Sequence, residues 1–176
     1  MQKSSGFTFM ELMVTIAILA VMTAIAIPNF ISWFPQYRLN VAAREMISTI
    51  QMARLKAIRG NTDIIMFINM GANTVTVFQD DGAGSVLGAD GIPVNARNWT
   101  LDGTERTFRT EPLPPGIDIT GAAFPLVSIV RFNQRGFPVD AAGNSTQGRI
   151  TLDNGRGGSN SEIEIQVDIS GNARML

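Results

Sequence analysis

The chain has neither cysteine nor histidine. Without cysteine there are no disulfides and no thiolate ligands, so any fold must hold by packing and hydrogen bonding. Without histidine the Ser-His-Asp triad, the Cys-His pair, imidazole zinc sites and the usual neutral-pH proton carrier are all excluded. No nucleophile is visibly paired with a base, and the expectation is a chain that is not an enzyme and carries no cofactor. Lysine is scarce too. Lys3 and Lys56 are the only lysines among 14 cations, and the arginines that make up the rest favour forked and stacked contacts. Against 15 acids the formal net charge is −1, so no global field draws this protein to nucleic acid or anionic lipid.

Charge is missing from one long stretch. From Leu12 to Tyr37 there is no Asp, Glu, Lys or Arg. A helix over that run, at about 1.5 Å per residue, exceeds the roughly 30 Å hydrocarbon thickness of a bilayer. Its core from Leu12 to Ile27 has no Gly or Pro and is apolar on every side, as a membrane-spanning segment requires. Lys3 precedes it and sets the N-terminus on the cytoplasmic side. Two processing routes fit. Ala24-Ile25-Ala26 offers a secretory signal-peptide cut, but a secretory signal gains nothing from Glu11 at the front edge of its apolar core.

The stretch Gly6-Phe7-Thr8-Phe9-Met10-Glu11 followed by the apolar run resembles the type IV prepilin signal. That resemblance implies a leader of residues 1–6, cleavage after Gly6 by a cytoplasmic prepilin peptidase, and N-methylation of Phe7. It also gives Glu11 a role. A carboxylate at membrane depth costs on the order of a few kcal/mol unless it meets a cation, and the Phe7 amine of a neighbouring subunit would supply one and set the assembly register. A plainer reading of Thr8 to Glu11 is a helix capping box, which is compatible with the first.

Pro28, a position where this family often has proline, is expected to kink the helix. Pro35 offers a second break, so that residues 28–35 are expected to be bent or partly extended. Beyond them Leu39, Ala42, Ala43, Met46, Ile47, Ile50, Ala53, Ala57 and Ile58 recur at three- and four-residue spacing, with Arg44, Glu45, Gln51, Arg54 and Arg59 as polar intervals. Gly60-Asn61 is a left-handed stop, with Arg59 in the last turn. The expected organisation is a helix over 7–60, membrane-spanning over roughly 7–34 and amphipathic over roughly 38–60, carrying a periplasmic β-rich head over 61–176.

In the head, alternation over 64–69 and 74–78 around Met70-Gly-Ala-Asn73 predicts a hairpin. Further strands are expected at 106–110, 127–132, 149–152 and 162–169, with a short one near Ala173. The fold class is therefore α+β, the helix packed on a small antiparallel sheet. Three segments, Leu113-Pro-Pro-Gly116, Val130 to Gly136 and Ile163 to Arg174, resemble the head of the general secretion pathway pseudopilin H and fimbrial T/U minor pilin family. Gly136 and Gly171 read as positive-φ turn residues.

That resemblance implies a minor pilin or pseudopilin acting in filament assembly and protein secretion. Its partners would be other pilin subunits, the prepilin peptidase and an inner-membrane assembly platform. The alternative is a filament-tip module binding DNA or a secreted substrate through Arg149, Arg156 and Arg174, although Asp153, Glu162, Glu164 and Asp168 dilute their attraction for phosphate. Asp80, Asp81 and Asp90 sit among glycines that offer oxygens to calcium, but the spacing is not that of an EF-hand and a solvated loop is the expectation. The triplets at Asn98 and Asn144 fit a glycosylation pattern that carries little meaning in a bacterial setting.

Overall fold

The computed structural model describes residues 7–79, 101, 105–126, 128–158 and 160–176. One helix, α1 (Phe9–Gly60), runs 52 residues, about 78 Å at the standard rise. It is α-helical without interruption at positions 28 and 35. The partly extended stretch expected between the two prolines is thus absent. Each proline removes one backbone bond, but the long helical runs on both sides hold the intervening residues cooperatively. Asn61 (φ 46°, ψ 43°) closes the helix in the left-handed conformation, with Arg59 in the last turn.

Nine strands follow: β1 (Ile64–Asn69), β2 (Thr74–Gln79), β3 (Arg106–Pro112), β4 (Asp118–Ala123), β5 (Ile129–Phe132), β6 (Pro138–Val139), β7 (Gly148–Asp153), β8 (Glu162–Val167) and β9 (Ala173–Met175). They form two antiparallel sheets, in the orders β3-β2-β1-β5-β6 and β4-β7-β8-β9. The single sheet expected is therefore two. β4 (Asp-Ile-Thr-Gly-Ala-Ala) and the two-residue β6 escape notice in the sequence because neither has a run of alternating apolar residues.

The C-terminal half of α1 touches strands of both sheets, and one core gathers residues from all three layers. Its helical seam is Leu39, Ala42, Ala43, Met46, Ile50, Ala53 and Ala57, all buried. The alanines bring the backbone close to the strands, while Leu39 and Ile50 each contribute about 1.5–3 kcal/mol of burial. Facing them are Ile64, Met66, Ile68 and Val130 of the first sheet and Ile150, Leu152, Ile165 and Val167 of the second. Ile58, expected on this seam, is 44% exposed at the helix end.

Asn73, in the β1–β2 turn at φ 49°, ties the sheets together. Its Oδ1 accepts the Ile119 N–H at 3.0 Å, its carbonyl accepts Leu113 N–H at 2.9 Å, and its Nδ2 donates to Asp118. A second tie joins the helix exit to the sheet. Arg131 Nε and Nη2 donate to Asp63 Oδ2 at 3.1 and 2.7 Å, with only 14% and 7% of the two side chains exposed. Arg131 Nη1 also donates to the Asp140 carbonyl at 3.3 Å.

Three turns share one design: Asn133-Gln-Arg-Gly136, Asp140-Ala-Ala-Gly143 and Asp168-Ile-Ser-Gly171. In each, the glycine N–H donates to the carbonyl of the first residue (2.8, 3.1 and 2.9 Å), and φ at the glycine is 79°, 87° and 81°. The first residue's side chain accepts backbone N–H groups further round the turn. This is a type I turn closed by a left-handed glycine. Gly136 and Gly171 have a further reason to lack a side chain. A Cβ on Gly171 would lie 2.4 Å from the Gly136 carbonyl oxygen, and one on Gly136 would lie 2.7 Å from Ile58 Cδ1. Nothing would meet a Cβ on Gly143.

Gly143→Ala should therefore cost only the left-handed backbone penalty of about 1–2 kcal/mol, and Gly171→Ala distinctly more, in denaturant unfolding of the full chain in detergent. Equal losses would show that the Gly136–Gly171 approach is not a constraint. Asp63→Asn, which strips one partner from a buried ion pair, should cost about 3–5 kcal/mol in the same measurement.

Candidate functional site

The residues singled out in the sequence lie along the helix and at its junctions with the head. At the N-terminus Thr8 is the cap: its Oγ1 accepts the Glu11 N–H at 3.2 Å, placing Glu11 in the first helical turn. The capping bond and an acid at the positive helix end therefore coexist. Phe7 and Phe9 are exposed; Gly6 and the leader lie outside the described residues.

From Phe9 to Ile27 the helix is long and apolar enough to cross a membrane, and none of this segment is buried against the head. Within it the two threonine hydroxyls turn inward to the backbone, Thr15 onto Leu12 O at 2.8 Å and Thr23 onto Leu19 O at 2.7 Å. That satisfies them without water. Glu11 is the only charged residue between Thr8 and Tyr37. Among the described residues no Lys or Arg forms an ion pair with it.

The three arginines of the binding alternative do not converge. Arg149 and Arg174 share a cross-strand row, since Arg149 is opposite Gln166 and Gln166 is opposite Arg174. Both are engaged: Arg149 Nη1 reaches Glu164 Oε2 at 3.3 Å, and Arg174 donates from Nε and Nη2 to Gln166 Oε1 at 3.3 and 2.9 Å. Arg156 is elsewhere, in the Gly155–Gly158 loop beside Pro35 and Gln36 of the helix. Asn172 is taken as well, its Oδ1 accepting Arg54 Nη1 at 2.7 Å. Arg54, a polar interval in the sequence, is thus half-buried against the Gly136 and Gly171 turns. Its role was hidden because its partner is 118 positions away. The loop holding Asp80, Asp81 and Asp90 and the triplet at Asn98 lie outside the described residues.

Two of the turn aspartates are electrostatically distinctive. Asp140 is held below the usual carboxylate range chiefly by the Asn144 backbone N–H. Asp168 is lowered chiefly by the Ser170 hydroxyl, with the Asn172 and Ser170 N–H groups and Arg174 adding to it. The repeated Asn/Asp-x-x-Gly spacing would have disclosed both.

An exposed apolar helix continuing into an amphipathic half docked on antiparallel sheets is the pilin-like architecture. Residues 42–172 match the family described as type II transport protein GspH, and residues 1–27 match the prokaryotic N-terminal methylation motif. The chain belongs to the GspH family. In structure it is similar to the type IV minor pilin FimU of Pseudomonas aeruginosa (TM-score 0.51, 14% identity, 78% of this chain and 92% of that one). It is also similar to the minor pseudopilin EpsH of the Vibrio cholerae type II secretion system (TM-score 0.52, 10% identity, 80% and 97%). No curated protein sequence matches the chain significantly.

Because the folded pKa of Asp168 is depressed, its contribution to stability is complete above the unfolded value of about 3.9 and disappears as pH falls through the folded value. Asp168→Asn keeps an acceptor at the position, as Asn133 does in the first turn. The variant should melt somewhat lower than the native chain at pH 7, and the two melting curves should converge toward pH 3. Curves that stay parallel from pH 7 to pH 3 would remove Asp168 from the acid response.

Proposed function

We propose that this chain is a minor pseudopilin or pilin subunit, held in the bacterial inner membrane by α1 with its N-terminus cytoplasmic and its head periplasmic, and transferred from there into a filament. The observation that carries this reading is the division of the helix. Its first part, Phe9 to Ile27, is apolar all round and not buried against any described residue, while its second half is committed to the head. Once out of the lipid, the first half needs other apolar helices around it, and a filament of such helices provides them.

On this reading the leader, residues 1–6, is removed after Gly6 by a prepilin peptidase, and Phe7 becomes the methylated N-terminus. Glu11 then pairs with the Phe7 amine of an adjacent subunit, which neutralises both charges and fixes the axial step between helices. An inner-membrane assembly platform draws the subunit out, and other pilins receive it.

Intact mass and N-terminal sequence of the mature protein from a host with prepilin peptidase should give a methylated Phe7 start; a start at Ile27 would make it an ordinary secreted domain. Gly6→Ala should retain the leader. Glu11→Ala should still insert into the membrane but enter filaments at least about tenfold less well, losing the few kcal/mol that pairing at bilayer depth supplies. Normal incorporation of Glu11→Ala would end the pairing mechanism.

A further inference from the structure

Just beyond the apolar span, α1 carries an aromatic cluster. Trp33 and Tyr37 stack at 5.2 Å, and Phe30 and Phe34 lie 6.3–6.5 Å from their ring neighbours, all four exposed. Exposed aromatics at this distance from the start of a span mark the membrane–water interface. Against the same stretch of helix the head opens a cleft of about 460 Å³, lined by Phe34, Pro35, Arg38, Pro115, Asn154 and Arg156 among others. A second hollow adjoins it through Pro35, Asn154 and Arg156. Among the described residues no carboxylate lines either one.

Two cations therefore share one cleft. Arg38 donates from Nη1 to the Pro115 carbonyl at 3.2 Å and lies over the Phe34 ring at 5.8 Å. Arg156, set in a glycine loop, receives no carboxylate among the described residues, and nor does Arg38. Helical side chains lean toward the N-terminus, so Arg38 leans back toward the bilayer.

We propose that this cleft binds the phosphate-bearing headgroup of an anionic phospholipid. Arg38 and Arg156 take the phosphate from the helix and the head, and the aromatic cluster lies along the acyl-chain side. The bound lipid orients the head on the outer surface of the inner membrane before the subunit is drawn into a filament. Guanidinium forks suit phosphate oxygens, and an anion would sit between two like charges that no carboxylate among the described residues neutralises. The proposal rests on the membrane-anchored reading of α1.

The test titrates the full chain in neutral detergent with short-chain phosphatidylglycerol and counts bound lipid by native mass spectrometry, with phosphatidylcholine of equal chain length for comparison. Phosphatidylglycerol should bind at least tenfold more tightly. Arg156→Gln, in an exposed loop, should leave the melting temperature unchanged and bring affinity close to that of phosphatidylcholine, while Arg149→Gln should leave it as it was. Inorganic phosphate at equal concentration should not displace the lipid. Undiminished binding by Arg156→Gln, or displacement by inorganic phosphate, would overturn the proposal. Either result alongside a methylated Phe7 start would leave the anchored reading standing.

Discussion

The rest of the structure depends on how closely the end of α1 approaches two glycine turns. Gly171 leaves room for the Gly136 carbonyl, and both turns receive the stem of Arg54. Through Asn172, Arg54 ties the helix to the β8–β9 turn, while Ile58 caps the β5–β6 turn. One turn belongs to each sheet, so this single contact fixes both sheets against one helix. A short alanine-rich seam can then hold the core.

This contact explains why two sheets with little direct pairing behave as one head. Where the helix does not bridge them, Asn73 does, from a turn that its left-handed conformation already requires. The Arg131–Asp63 pair secures the point where the chain leaves the helix for β1. Each tie uses a turn residue or a strand end, where polar groups would otherwise need water.

Much of this was legible in the sequence, for different physical reasons. The apolar run, the cap, the stop at Gly60-Asn61 and the β1–β2 hairpin are local signals, and they fall where the residues put them. The positive φ of Gly136 and Gly171 was equally readable, but the reason both must be glycine was not, because it lies in their mutual approach. Strand β4 lacks an apolar pattern and pairs with β7 through an irregular register at Ile119/Gly121. The prolines show the limit of local rules: each disfavours helix, yet the runs around them impose it. Of the candidate site, Glu11 could be placed from sequence. The separation of Arg156 from Arg149 and Arg174 needed the register of three strands.

One helix here has two kinds of surface. Over the apolar span, hydroxyls bond to their own backbone and the one acid sits at the edge. Where the head surrounds it, burial is one-sided and alanines set the distance. Between the two, over residues 30–38, neither rule applies, and the chain places aromatics and a cation there. A segment that joins an apolar span to a head-packed half is best served by side chains with an apolar body and a polar end, and aromatic rings and arginine stems are such groups. The junction therefore carries the side chains that suit both the apolar span before it and the head-packed half after it.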